Sequence, residues 1–370
     1  MDFAPRTDPS VIDDLRARLR ATRWPAGSPG SGWEAGTDMA YLRDLVAYWA
    51  DGFDWNAQEA ELNRLPRSFV QVGGQGVHVL HSVADRTGAG REGAAPALLL
   101  AHGWPDSFWR YLKVIPLLAP DFDLVIPDMP GYGYSDAPAG AALDARAVAG
   151  LWAELMTKLG YERFFVAGGD IGSGVAGNLA ADFPERVIAV HRMSAGLPWP
   201  GLEQQELSPA ERDWLAAAFA WNASEGAYAQ LHRTKPDTPA FALTDSPVGL
   251  AAWVVEKLHG WSERGIESFT KDEVLTNVMI YWLTSSIGPS MRMYRAMAQA
   301  APELSARRVE VPSGFSIFPA DINQPPREWV ERTSNVVRFT RPARGGHFAP
   351  FEVPEVYAQE LRDFFGMFPG

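Results

Sequence analysis

Two segments hold residues that could do covalent chemistry together, and a third could orient them. Phe164-Phe165-Val166-Ala167-Gly168-Gly169-Asp170-Ile171-Gly172-Ser173 runs from an apolar strand through small-x-Asp-x-small into a helix. This is the spacing of a nucleophile elbow with a carboxylate at its tip. Small residues at 168 and 172 suit a tight turn. Such a turn lifts Asp170 out at the carboxyl end of its strand, where ligands of open α/β sheets bind. The same residues also read as a Gly-rich strand-to-helix turn in which Asp170 caps the helix. Arg344-Gly345-Gly346-His347-Phe348 follows the last apolar run and offers His347 as a general base. Ser316-Ile317-Phe318-Pro319-Ala320-Asp321 offers Asp321 to orient that base. Alone, His347 reads equally as a structural histidine and Asp321 as a loop carboxylate. Their order, nucleophile then acid then base, gives the three a common chemistry.

A carboxylate that attacks carbon forms an ester, and hydrolysis of that ester needs donors for an oxyanion. Leu98-Leu99-Leu100-Ala101-His102-Gly103-Trp104-Pro105 follows another strand and can supply the backbone N–H of Trp104. The residue after the nucleophile, Ile171, supplies the second. His102 reads as a brace for this loop, and Trp104-Pro105 is a candidate cis peptide.

These groups must be carried by a scaffold. Residues 1–66 read as helical, with Asp8 capping a helix that has Pro9 at its first position. Ile12, Leu15 and Leu19 form its apolar face, and Leu42, Leu45, Val46 and Trp49 that of a second helix. A third short helix is expected at 56–65. From residue 67 to 196, short β-rich runs alternate with helical stretches, which argues for a mostly parallel sheet in an α/β fold. The first two runs, joined across Gly73-Gly74-Gln75-Gly76, read as an antiparallel hairpin at the sheet edge. Residues 197–300 are helical and rich in Trp and Tyr. Residues 301–370 return to the sheet and end in a helix. A helical block set between strands of one sheet is the layout of a cap over a site.

The 370 residues carry 33 basic and 45 acidic side chains, a net charge of −12, and no cysteine. Nucleic acid is a poor partner for such a surface, and disulfides, thiolate metal sites and a cysteine nucleophile are excluded. No apolar run approaches the ~20 residues of a membrane span, and no secretory signal is visible. A cytoplasmic protein without membrane or nucleic-acid partners is expected. The N-terminal helices either wrap this subunit or help form a homodimer.

Together these segments resemble the α/β-hydrolase superfamily, and more narrowly the epoxide hydrolases of the microsomal type. The resemblance covers nearly the whole chain. The helices with Ile12–Leu19, Arg23-Trp24-Pro25 and Tyr41–Trp55 look like that family's N-terminal region. His102-Gly103-Trp104-Pro105 and Asp128-Met129-Pro130-Gly131-Tyr132-Gly133 look like its core. Thr234-Lys235-Pro236-Asp237-Thr238 and Leu275-Thr276-Asn277-Val278-Met279 look like its cap. The resemblance implies an eight-stranded sheet with a cap and an N-terminal extension. It also implies Asp170 as nucleophile, His347 as base and Asp321 as acid, and a small-molecule epoxide as substrate with no cofactor or metal. Two cap tyrosines, Tyr228 and Tyr294, are expected to donate to the opening epoxide oxygen. Asp106 stands where the family usually has Gly, and adds a charge expected near the entrance. Asp321 stands where relatives often have Glu.

The nearest rival is a dehalogenase with the same triad. A departing halide commonly meets a Trp N–H right after the nucleophile, where this chain has Ile171. A serine esterase is disfavoured because Ser173 lacks a G-x-S-x-G frame. A non-catalytic ligand-binding relative would have no use for the full set. Trp214, Trp221, Trp253 and Trp282 suggest a bulky apolar epoxide, but equally a packed cap interior.

Overall fold

Aspartates start the first three helices. Asp8 caps α1 (Pro9–Arg20), Asp38 caps α2 (Met39–Asp51) and Asp54 caps α3 (Trp55–Asn63), each accepting from a backbone N–H of the first turn. The buried residues of α1 are Ile12, Leu15 and Leu19, the expected apolar face. The third helix starts and ends a residue or two earlier than the pattern suggested. The computed structural model describes residues 3–27, 30–85, 95–196, 206–300 and 307–369.

The sheet has eight strands: β1 (Arg67–Val72), β2 (Gln75–Ser82), β3 (Ala97–Ala101), β4 (Asp123–Pro127), β5 (Phe164–Gly168), β6 (Val187–Arg192), β7 (Val309–Ser316) and β8 (Ser334–Thr340). Their order is β1-β2-β4-β3-β5-β6-β7-β8. The pairings β1–β2 and β2–β4 are antiparallel, and the remainder parallel. The hairpin therefore sits at an edge. Strands β3, β4 and β5 are buried along their whole lengths. Helices cover both faces there, so unbroken apolar runs are favoured over alternation.

In chain order, α4 (Ile115–Leu118), α5 (Ala145–Lys158) and α6 (Ile171–Asp182) lie between β3 and β6. Six further helices separate β6 from β7 among the described residues: α7 (Pro209–Glu225), α8 (Ala227–Thr234), α9 (Asp237–Asp245), α10 (Pro247–Gly260), α11 (Lys271–Thr284) and α12 (Ile287–Gln299). Ser208 starts α7 and Thr270 starts α11, each with a reciprocal bond to a Glu three residues on. Residues 197–205 of the expected cap lie outside the described residues. The chain closes with α13 (Arg327–Thr333), α14 (Ala349–Glu352) and α15 (Pro354–Phe365). No helix of the described residues is long and apolar enough to cross a membrane.

The N-terminal helices are fastened to the cap. Arg18 donates to the Asp245 carbonyl at 3.0 Å, Thr37 to the Ala252 carbonyl at 2.7 Å, and Tyr48 to the Asp272 carboxylate at 2.7 Å. Lys271 pairs with Asp44.

Candidate active site

The turn between β5 and α6 holds Asp170 at φ 55° and ψ −131°, a left-handed conformation unusual for a residue with a side chain. Its neighbours have no room for side chains. A Cβ on Gly168 would lie 2.2 Å from the Gly172 carbonyl oxygen, and one on Gly172 would lie 2.0 Å from that of Ala101. Asp170 makes no N-cap bond of the usual kind, from its side chain to an N–H two or three residues on. Its side chain is turned out of the elbow, so the capping alternative fails.

The two oxygens of Asp170 have different surroundings. Oδ1 accepts the Trp104 N–H at 2.8 Å, and the Ile171 N–H also bonds the carboxylate. Oδ2 lies 3.5 Å from Nε2 of His347. On the other side of the ring, His347 Nδ1 meets Asp321 Oδ1 at 2.8 Å. The structure thus brings together Asp170, His347, Asp321, Trp104 and Ile171 at the carboxyl ends of β3, β5, β7 and β8.

Burial raises the pKa of the Asp170 carboxyl, yet His347 and the two N–H groups outweigh it and hold the value below the usual one. Burial disfavours the His347 imidazolium, but Asp321 and then Asp170 overcome it and push the pKa up to about 9. Two carboxylates flank the ring and favour its charged form at neutral pH. The stability this proton contributes is fully present below the ordinary value of 6.5 and is lost as pH rises through about 9. The thermal midpoint of unfolding should therefore fall between those pH values. Asp321→Asn, which removes the first of the two carboxylates, should flatten that fall. An equally steep fall in the variant would show that another group titrates there.

Tyr228 on α8 and Tyr294 on α12 reach the same cavity as Asp170 and His347. The Tyr228 ring stacks on Trp104 with centroids 5.3 Å apart, and Tyr294 meets Trp104 edge-on at 5.9 Å. Burial, followed by the charge of Asp170 for Tyr228 and by Tyr228 itself for Tyr294, pushes both hydroxyls well above the ordinary value of 10. They stay protonated as neutral donors.

His102 is the expected brace: Nε2 accepts the Met129 N–H at 2.9 Å and Nδ1 faces the Gly103 carbonyl at 3.0 Å. Trp104-Pro105 is cis. Asp106 is a correction. Its side chain is fully buried, far from any entrance role. It accepts the Gly103 N–H at 2.8 Å and pairs with Arg110, whose guanidinium also donates to the His347 carbonyl. Burial alone would raise the Asp106 pKa, but Arg110 and then His102 bring it to about 2. The charge therefore ties the Trp104 loop to the His347 loop. Cap helix α11 adds to the brace: Asn277 donates to the Pro105 carbonyl at 2.9 Å and Tyr281 to that of Asp106 at 3.1 Å.

The model of the epoxide hydrolase N terminus matches residues 1–111, and that of the alpha/beta hydrolase fold matches residues 96–322. Epoxide hydrolase 1 of Sus scrofa is 32% identical, over 99% of this chain and 88% of its own. The chain belongs to the epoxide hydrolase family. Among solved structures, juvenile hormone epoxide hydrolase from the silkworm Bombyx mori superposes with a TM-score of 0.90 at 28% identity, over 99% of this chain and 93% of that one. Aspergillus niger epoxide hydrolase gives 0.85 at 31% identity, over 99% and 95%.

Several residues of this epoxide hydrolase family site escaped the sequence reading. Trp261 packs its ring 5.0 Å from that of His347, and its carbonyl accepts the His347 N–H at 2.9 Å. Glu352 accepts from the Phe348 and Glu263 N–H groups at 3.0 and 2.8 Å, fastening the base loop to the cap. Nothing local marks Trp261. The i, i+4 spacing of Asp106 and Arg110 was the one available signal for that pair. Of the four cap tryptophans, read either as substrate contacts or as packed interior, only Trp221 lines the cavity. Trp214 packs on Trp329, Trp253 against His232, and Trp282 lies under Arg18.

Proposed function

We propose that the protein adds water to an epoxide through an ester on Asp170, giving a vicinal diol. The observation that carries this reading is the division of labour on Asp170. With Oδ1 held by the Trp104 N–H, Oδ2 is the oxygen free to attack. As it bonds to a ring carbon, the carbon–oxygen bond of the ring breaks. Tyr228 and Tyr294 both donate hydrogen bonds to the developing alkoxide, and one of them passes it a proton and is left as a tyrosinate.

Esterification also sets up the second step. It removes the charge of Asp170, one of the two carboxylates that hold the proton on His347. With that carboxylate gone, the imidazolium gives up its proton, which returns to the tyrosinate left by ring opening, and the neutral imidazole can act as base. It takes a proton from water, and hydroxide adds to the ester carbonyl carbon. The oxyanion forms at Oδ1, where the Trp104 N–H already points and the Ile171 N–H is close at hand. Collapse of this adduct expels the diol and restores the carboxylate. Water and epoxide are the only reactants consumed. Ile171 offers no side-chain N–H for a departing halide, which favours this reading over dehalogenation.

The test is intact-protein mass spectrometry of His347→Gln after incubation with styrene oxide. A mass gain equal to one epoxide, on the peptide holding Asp170, is expected. Diol formation by the wild type with no adduct on the variant would mean that water attacks the ring directly.

A further inference from the structure

The cavity above Asp170 has a volume of 540 Å³. Asp170, His347, Asp321 and the two tyrosines line it. Its walls are mostly apolar, with Trp221, Ala218, Ala229, Met297 and Ile322 among them. One more charged residue lines it, and nothing in the mechanism uses it: Arg233.

Arg233 sits on α8, just over one turn after Tyr228. Tyr228, Ala229 and His232 on the same helix are buried, whereas Arg233 is exposed. Other arginines around the cap are engaged: Arg292 pairs with Asp237, Arg18 with Asp14 and Asp245. Arg233 makes no ion pair or hydrogen bond with any described residue, in a chain whose net charge is −12. Its charge is felt inside the cavity. Burial and Asp170 raise the Tyr228 hydroxyl, while Tyr294 and Arg233 pull it the other way.

We propose that Arg233 makes this site selective for epoxides whose apolar body ends in a carboxylate. The inference rests on the epoxide hydrolase reading above. A guanidinium fork matches a carboxylate in shape and charge. The apolar walls of the cavity that Arg233 and Asp170 both line suit a hydrocarbon body. A single free cation balances a monoanion. A phosphate dianion would meet only this one unpaired cation, since the His347 charge is already matched by Asp170 and Asp321.

The test uses terminal epoxy-alkanoic acids of increasing chain length beside their primary amides, which are isosteric and uncharged. The quantity read is the acid-to-amide ratio of kcat/KM within each enzyme, with styrene oxide as a neutral control. At the best-fitting length the wild type should prefer the acid by roughly three- to tenfold at low salt, the range of a partly exposed Arg–carboxylate pair. Added salt should shrink that preference. Arg233→Gln should bring the ratio to about one, and Arg233→Glu should invert it. Since each enzyme is its own reference, a general loss of folding cannot imitate this pattern. A wild-type ratio near one, or a preference that survives in Arg233→Glu, would overturn the role of Arg233. Failure of the wild type on every epoxide, styrene oxide included, would instead overturn the hydrolase reading.

Discussion

Asp170→Ala yields a folded protein that makes no diol. The expected fall in kcat is on the order of 10⁴ or more, the size of effect seen when a nucleophile is lost. No other group is poised to replace it. Asp321 is committed to His347 at 2.8 Å, and the chain has no cysteine. Folding should survive, because Asp170 stands at the tip of the elbow and not in the apolar core. Its backbone at φ 55° is strained for any residue with a side chain. Asp170→Gly should therefore be roughly 1 kcal/mol more stable than Asp170→Ala, which keeps the strain. A strained backbone kept at this position is the signature of a residue retained for chemistry. Diol formation at an ordinary rate by Asp170→Ala would overturn the assignment. Loss of turnover without an adduct in His347→Gln would make Asp170 the activator of water and not the nucleophile.

Replacing Tyr228 and Tyr294 together by Phe should slow ester formation by a factor on the order of 10³, about 4 kcal/mol of lost alkoxide stabilisation. Each single variant should lose less, because its partner still donates to the same oxygen. The step can be watched directly. Trp104 stacks on Tyr228, so its fluorescence should respond to alkylation in a stopped-flow experiment. Once formed, the ester should hydrolyse at close to the normal rate, since that step draws on His347 and the Trp104 loop. A double variant with a normal alkylation phase would show that the tyrosines are packing residues. A variant slowed equally in both steps would show a distorted cavity.

These outcomes depend on residues whose legibility in the sequence differed for physical reasons. The elbow was legible because steric exclusion acts locally. A turn with a Cβ 2.0 Å from a carbonyl cannot form, so Gly must stand at 168 and 172 whatever the rest of the chain does. His347 and Asp321 were legible through order along the chain and flanking strands, although their 2.8 Å contact joins residues 26 apart. Tyr228 and Tyr294 were found only through the resemblance of the cap segments, since a Tyr on a buried helix face has no distinguishing pattern. Asp106 was misjudged because its partner sets its environment. Arg110 turns a charge expected near the entrance into an interior brace. Trp261 contributes its backbone carbonyl, a group every residue carries, so its type says nothing of that contact.

The bonds between the N-terminal helices and the cap bear on how molecules come and go. Arg18, Thr37, Tyr48 and Lys271 fix the cap from one side, while Asn277, Tyr281 and Glu352 fix it from beneath. Lifting this roof would break all of these bonds at once. The clamps therefore favour entry through a fixed opening over a roof that rearranges on each turnover. Changes in what such an enzyme accepts then come from repainting the doorway and inner walls, residue by residue, while the clamps stay untouched.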